Sequence, residues 1–184
     1  AGPGDVFVFS GSAPAGVEAG IYAAWIRRAR ALGALSLLDA DGELLSRGLE
    51  ARPDLAKPNE EELGRLLGRR LESRAELLAA ARGLQAAGVG GVVVSLGSEG
   101  ALFVDAAGAY LARGIKVEAV STVGAGDTMV AALALGLEKG ESLEKMIASA
   151  VGAATAAVLV AGSGACDPKV AARYAAQVTW EALP

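Results

Sequence analysis

The 184-residue chain contains no histidine and a single cysteine, Cys166. The first absence excludes Ser-His-Asp and Cys-His catalysis within the chain, and His-ligated metal sites with them. The second excludes an internal disulfide and points to a reducing cytoplasm, with Cys166 as inert packing. Aromatic residues make up 4% of a sequence that is 53% hydrophobic, so the core must be built from Ala, Leu and Val. No basic block occurs and the net charge is −4, which argues against nucleic acid as a partner. Charge is also missing from Met146 to Cys166, a stretch long enough to raise the question of a membrane span. Its residues are mostly Ala, Gly, Ser and Thr, with neither a signal peptide nor a Lys/Arg asymmetry alongside. A buried helix is the expectation, and no membrane contact.

What is present is an alternation of two periods. Strands are expected at Asp5–Ser10, Leu35–Asp39, Asp54–Lys57, Gly91–Ser95 and Val117–Val120, with a hairpin over Ala101–Asp105 and Ala109–Arg113. Helices are expected at about Glu18–Leu32, Glu43–Leu49, Glu60–Leu67, Ser73–Ala87, Ala125–Lys139, Ser142–Val160 and Pro168–Val178. In the first helix Ile21, Trp25, Ile26 and Ala29 share one face, and Ser73 with Glu76 reads as a capping box. The length fits one domain, and strands alternating with helices imply an α/β fold with a mostly parallel sheet covered on both faces.

Four segments carry candidate chemistry. In Ser121-Thr-Val-Gly124-Ala125-Gly126-Asp127, small residues run into an aspartate at the start of an apolar helix. Unpaired N–H groups there suit an anion, glycine admits a phosphate closely, and Asp127 would sit beside it as a base. A glycine turn with a dipole-favoured acid is the plain alternative. Lys57-Pro-Asn59-Glu-Glu-Glu62 is either an N-cap with first-turn glutamates or a lysine, amide and carboxylate near nucleotide phosphates and Mg²⁺. Ser95-Leu96-Gly97-Ser98-Glu99-Gly100 follows the strongest strand, where ligands of open α/β sheets bind, or is a simple turn. Ser10-Gly-Ser12-Ala-Pro is another strand-end turn bearing hydroxyls. Neither GxGxxG nor a Walker lysine motif occurs.

With Thr-Val before it and Asp-Thr-Met after it, the Gly-Ala-Gly-Asp segment resembles the C-terminal signature of the ribokinase-like (PfkB) carbohydrate kinases. Lys-Pro-Asn and Ser-Leu-Gly-x-x-Gly extend the likeness from Asp5 to about Val178, closest to the phosphofructokinase and tagatose-6-phosphate kinase branch. The resemblance implies a ribokinase-like three-layer sandwich and transfer of the ATP γ-phosphoryl group to a phosphosugar hydroxyl. A ribose or nucleoside kinase and a non-catalytic nucleotide-binding module remain the alternatives.

On that resemblance Asp127 is the base and Gly124, Ala125 and Gly126 form the anion hole. It further implies ATP contacts at Lys57, Asn59, Ser95–Gly100 and Thr155, a phosphosugar contact at Ser12, and Glu62 on Mg²⁺ through water. A monovalent cation, K⁺ being the candidate, is implied near Ser121, Val123, Ala157, Val160, Gly162 and Gly164. Family members carry an N-terminal part and a β-lid that this sequence does not show. Residues 1–184 are therefore expected to be the C-terminal, ATP-binding and catalytic portion of one kinase domain, homodimeric when complete.

Overall fold

A computed structural model describes residues 1–162 and 166–184. Among them are seven α-helices and seven strands, a mixed α/β fold, and the chain divides into two compact units. The first comprises Ala1–Ser95 and Leu102–Ala109, the second Leu96–Ala101 and Tyr110–Pro184.

In the first unit, β1 (Val6–Ser10), β2 (Leu35–Asp39), β3 (Leu55–Ala56) and β4 (Gly91–Ser95) lie side by side in chain order. All three pairings are parallel, with Val6 opposite Leu35, Leu37 opposite Leu55 and Leu55 opposite Gly91. The connections are α1 (Ile21–Ala31), α2 (Gly42–Glu50), and the pair α3 (Glu60–Leu66) and α4 (Arg74–Ala86). Helices α1 and α2 pack on β2, and α3 and α4 on β4. Ile26, Leu37, Leu38, Leu45, Leu63 and Val92–Val94 are fully buried, each contributing about 2 kcal/mol by burial. Aliphatic packing does the work that the scarce aromatics cannot.

Trp25 departs from expectation: it is 53% exposed, and α1 buries Tyr22, Ala23, Ile26 and Ala29 instead. Its indole still meets the Phe9 ring at 6.2 Å, at the margin of that face. The Ser73 cap forms, but only half of the box does. Ser73 Oγ accepts from Glu76 N at 3.3 Å, whereas the Glu76 carboxylate reaches past Ser73 to the N–H of Glu72 at 2.7 Å. That N–H, with Arg69 next in importance, holds the Glu76 carboxyl below its usual range.

Strand β5 (Gly100–Asp105) follows in the chain. The second unit holds β6 (Ala109–Arg113) from Tyr110 onward, α5 (Ala125–Glu138), α6 (Leu143–Ala157), α7 (Pro168–Ala175) and β7 (Trp180–Leu183). Helix α6 packs against both α5 and α7, which explains why it carries no charge from Met146 onward. A Cβ at Gly152 would run into the backbone of Ala175, and one at Gly136 into the Met146 side chain. No helix among the described residues is long and apolar enough to cross a membrane.

Two differences from the sequence reading concern strands. Residues 117–120 form none; they are held instead by Val120 N and Ser121 N, which both donate to Val158 O at 2.8 and 3.1 Å. Conversely β7 was not anticipated. It neighbours β6, joined through Arg113 N to Thr179 O at 3.0 Å and the Arg113–Glu181 ion pair at 3.2 Å.

Candidate active site

In the first unit the carboxyl ends of β1, β2 and β3 carry polar side chains out of an apolar sheet. Lys57, directly after β3, is 4% exposed, and its Nζ lies 2.9 Å from Oδ1 of Asp39, the last residue of β2. A buried ammonium requires such a partner. The backbone sets the pair up, since Lys57 N donates to Leu38 O at 2.9 Å. The other Asp39 oxygen, Oδ2, accepts from Ser10 Oγ at 3.2 Å. Asp39 was not among the residues singled out from sequence; an aspartate ending an apolar run reads as a turn residue, and Lys57 lies far along the chain.

Asn59 and Glu62 form a complete capping box at the start of α3. Asn59 Oδ1 accepts from Glu62 N, and Glu62 Oε2 from Asn59 N, both at 2.8 Å. The N-cap alternative is thus a structural fact at these two residues. It leaves Glu62 Oε1 outside the box, a hard oxygen donor of the kind magnesium takes through water. Burial pushes the Glu62 carboxyl above the usual glutamate range; the Asn59 N–H and then Lys57 pull it down, and Asp39 and Asp41 raise it. The neighbouring Asp41 lies below its ordinary range, chiefly through its hydrogen bond from Arg65 at 2.8 Å. Ser95 N donates to Pro58 O at 3.1 Å, and Ser95 bridges Asn59 in parallel register, so the Lys57–Asn59 segment and the end of β4 are neighbours. Ser12 is exposed in the turn after β1, whose Gly11 N donates to Asp39 O at 2.9 Å.

In the second unit Leu96–Gly100 closes on itself. Leu96 N donates to Gly100 O at 2.9 Å, around a 3-10 turn at Gly97–Glu99. Gly97, Ser98 and Glu99 are exposed, and Leu96 and Gly100 are buried. Gly100 has φ 110°, and a Cβ there would overlap the Ala112 carbonyl oxygen. A Cβ at Gly114 would meet Ser98 O in the same way, and Gly114 N donates to Glu99 O at 2.9 Å.

Gly124 is the N-cap of α5, left-handed at φ 81° and ψ −3°, which places Ala125, Gly126 and Asp127 in the first turn. Ala125 N reaches Thr122 O at 3.4 Å, while Gly126 and Asp127 have no carbonyl four residues back inside the helix. Asp127 is exposed at the positive end of the helix dipole. Thr128 Oγ1 donates to Gly124 O at 2.8 Å and tightens the turn. Val158 O, through its two bonds to residues 120 and 121, brings the Ser121 segment against the end of α6. Val123 N donates to Ser121 Oγ at 3.2 Å, Val160 N to Ala157 O at 3.1 Å, and Gly162 is left-handed at φ 67°. Gly164 lies outside the described residues. Thr155 is buried, and its hydroxyl donates to Val151 O at 2.8 Å within its own helix. Cys166 is a free, half-buried thiol. Among the described residues no group of three or more Cys, Asp or Glu side chains is placed to hold a metal.

The pattern of the pfkB family of carbohydrate kinases matches residues 1–170. The chain belongs to that family. The 1-phosphofructokinase of Escherichia coli strain K12 is 41% identical over 172 residues, 93% of this chain and 55% of the relative. The ATP-dependent 6-phosphofructokinase isozyme 2 of the same organism is 39% identical over 166 residues, 89% of this chain and 54% of its own length. The chain thus spans about half the length of these pfkB relatives. Among solved structures, phosphofructokinase-2 from Escherichia coli in complex with potassium superposes with TM-score 0.91 at 36% identity, over 96% of this chain and 58% of that one. The tetrameric inhibited form of phosphofructokinase-2 from that organism gives 0.86 at 34% identity, over 96% and 57%. The ribokinase-like fold expected of a pfkB member is therefore the fold observed.

Proposed function

We propose that this pfkB chain carries the ATP-binding and catalytic-base portion of a phosphosugar kinase that acts on a fructose or tagatose phosphate. The observation that carries the proposal is Asp127 in the first turn of α5, beside amides that lack helical partners behind a left-handed Gly124. Its carboxylate takes the proton of the acceptor hydroxyl as that oxygen attacks the γ-phosphorus; the bond to the β-phosphate bridging oxygen breaks and ADP leaves. The N–H groups of residues 124–127 stabilise charge on the transferred group.

Lys57, Asn59, Ser95–Gly100 and Thr155 are assigned to ATP, and Ser12 to the sugar phosphate. The hard oxygen left on Glu62 fits a water-mediated place on Mg²⁺, which supplies charge neutralisation of the ATP phosphates. Ser121, Val123, Ala157, Val160 and Gly162 are assigned to a monovalent cation, and a relative solved with potassium supports K⁺. We read the complete protein as a cytoplasmic homodimer; the tetrameric form of a relative supports self-association.

The test is ADP production by the intact protein with MgATP and a panel of fructose 1-phosphate, fructose 6-phosphate, tagatose 6-phosphate, ribose and a nucleoside. Fructose 1-phosphate heads the panel because the 41%-identical relative is named for that activity. A preference for ribose or the nucleoside would overturn the phosphosugar assignment. Nucleotide binding with no acceptor turned over would leave only a binding module.

A further inference from the structure

We infer that Asp39 is a positioning residue that ties the nucleotide-side lysine to the phosphosugar-side turn through its two carboxylate oxygens. The inference rests on the function proposed above. Oδ1 lies 2.9 Å from Lys57 Nζ and Oδ2 accepts from Ser10 Oγ at 3.2 Å, so each arm of the carboxylate holds a different segment. The side chains of Lys57 and Asp39 are 5% and 15% exposed, which removes most competing water from the ion pair.

The backbone repeats the same linkage. Gly11 N donates to Asp39 O, and Lys57 N to Leu38 O, both at 2.9 Å. Parallel pairing sets Ser10 opposite Asp39 and Leu38 opposite Ala56, so all three strand ends are fixed by the sheet. From the other side the Tyr22 hydroxyl donates to Ser10 O at 2.9 Å and leans on Gly11 O at 3.4 Å, with its ring 5.8 Å from Phe9. The turn that begins at Ser10 is thus clamped between α1 and the Asp39 carboxylate.

An ammonium has three hydrogens, and the Asp39 contact engages one. Asp39 therefore holds Lys57 in place while leaving donors for an anionic guest. It also neutralises the buried cation while the guest is absent. Asp39 touches neither reactant in this assignment. It sets where two contacting groups stand.

The experiment is a double-mutant cycle in the intact protein, with MgATP and fructose 1-phosphate titrated separately by calorimetry. Ser10→Ala keeps the ion pair and frees the turn; it should weaken fructose 1-phosphate about fivefold, the worth of one hydrogen bond, and leave MgATP within twofold. Asp39→Asn removes the charge and should weaken MgATP at least ~10-fold and fructose 1-phosphate as well. In the Asp39→Asn background, Ser10→Ala should cost less than twofold. If Ser10→Ala leaves fructose 1-phosphate unchanged, or Asp39→Asn alters MgATP alone, Asp39 is only a counter-ion and the linkage is wrong. Ser10 is exposed, so its variant decides the matter even where Asp39→Asn does not fold. Wild-type protein that binds neither ligand would overturn the proposed function itself, an outcome distinct from unequal variants of a binding-competent protein.

Discussion

Asn59 and Glu62 cap α3 reciprocally, each side chain accepting from the other's backbone N–H at 2.8 Å. The carboxylate of Glu62 therefore has two separable properties, an acceptor that caps and a charge that burial disfavours.

Glu62→Gln separates them, because the amide oxygen can still accept from Asn59. Burial raises the folded-state pKa above the unfolded one, so the fold favours the protonated acid. That contribution is complete below the unfolded pKa and is lost as pH rises through the folded one. Relative to Glu62→Gln, wild-type protein should lose melting temperature as pH rises above the ordinary glutamate range. If Glu62 serves Mg²⁺ as proposed, the variant should also need more Mg²⁺ for half-maximal activity, with the phosphosugar KM changing less. A parallel pair of Mg²⁺ titrations would return Glu62 to a purely capping role.

Asp127→Asn should lower kcat of the intact protein by at least ~10²-fold, the scale of a lost general base. MgATP affinity should change little, since the amide keeps the shape of the side chain. Retention of a third or more of wild-type kcat, under conditions where chemistry limits the rate, would remove Asp127 from the base role.

Lys57→Met leaves the Asp39 carboxylate mostly buried with its cation gone. Unfolding in urea should show a loss of about 3 kcal/mol, the lower end for a broken buried pair because Asp39 keeps some exposure. A loss no larger than that of a surface pair would show that water reaches Asp39 freely.

Gly100→Ala combines a left-handed φ of 110° with a Cβ that overlaps Ala112 O. It should cost at least ~2 kcal/mol. The control is Gly83→Ala in α4, where a Cβ meets nothing within 4 Å; it should stabilise by about 0.5–1 kcal/mol. Similar unfolding curves for the two alanine variants would contradict the close approach at Gly100.

The parallel strands of the first unit could be read directly, because Val6–Ser10, Leu35–Asp39 and Gly91–Ser95 are short apolar runs closed by turn residues. Residues 117–120 gave the same local signal without a ladder; the amide of Val120 donates to the carbonyl of Val158 instead. β7 went unseen for the converse reason: its Trp180, Glu181 and Ala182 are exposed, and its neighbour β6 lies far back in the chain. Trp25 was set on the buried face by its spacing, yet Phe9 and Tyr22 already fill that side. Among candidate site residues, local motifs named Lys57, Asn59, Glu62 and the segment 121–127. They could not name Asp39, whose meaning comes only from strand ends meeting in space.

The tight seat of Gly100 and Gly114 bears on how this chain can be varied. A Cβ at either position would overlap a carbonyl oxygen, that of Ala112 or of Ser98, so a side chain there is costly whatever its effect on ligand binding. Residues 97–99 precede Gly100, and the Ser98 side chain among them is exposed. Directed evolution aimed at the proposed nucleotide contacts therefore has one narrow window. A library confined to Ser98, with the two glycines fixed, samples chemistry without spending its members on misfolded chains.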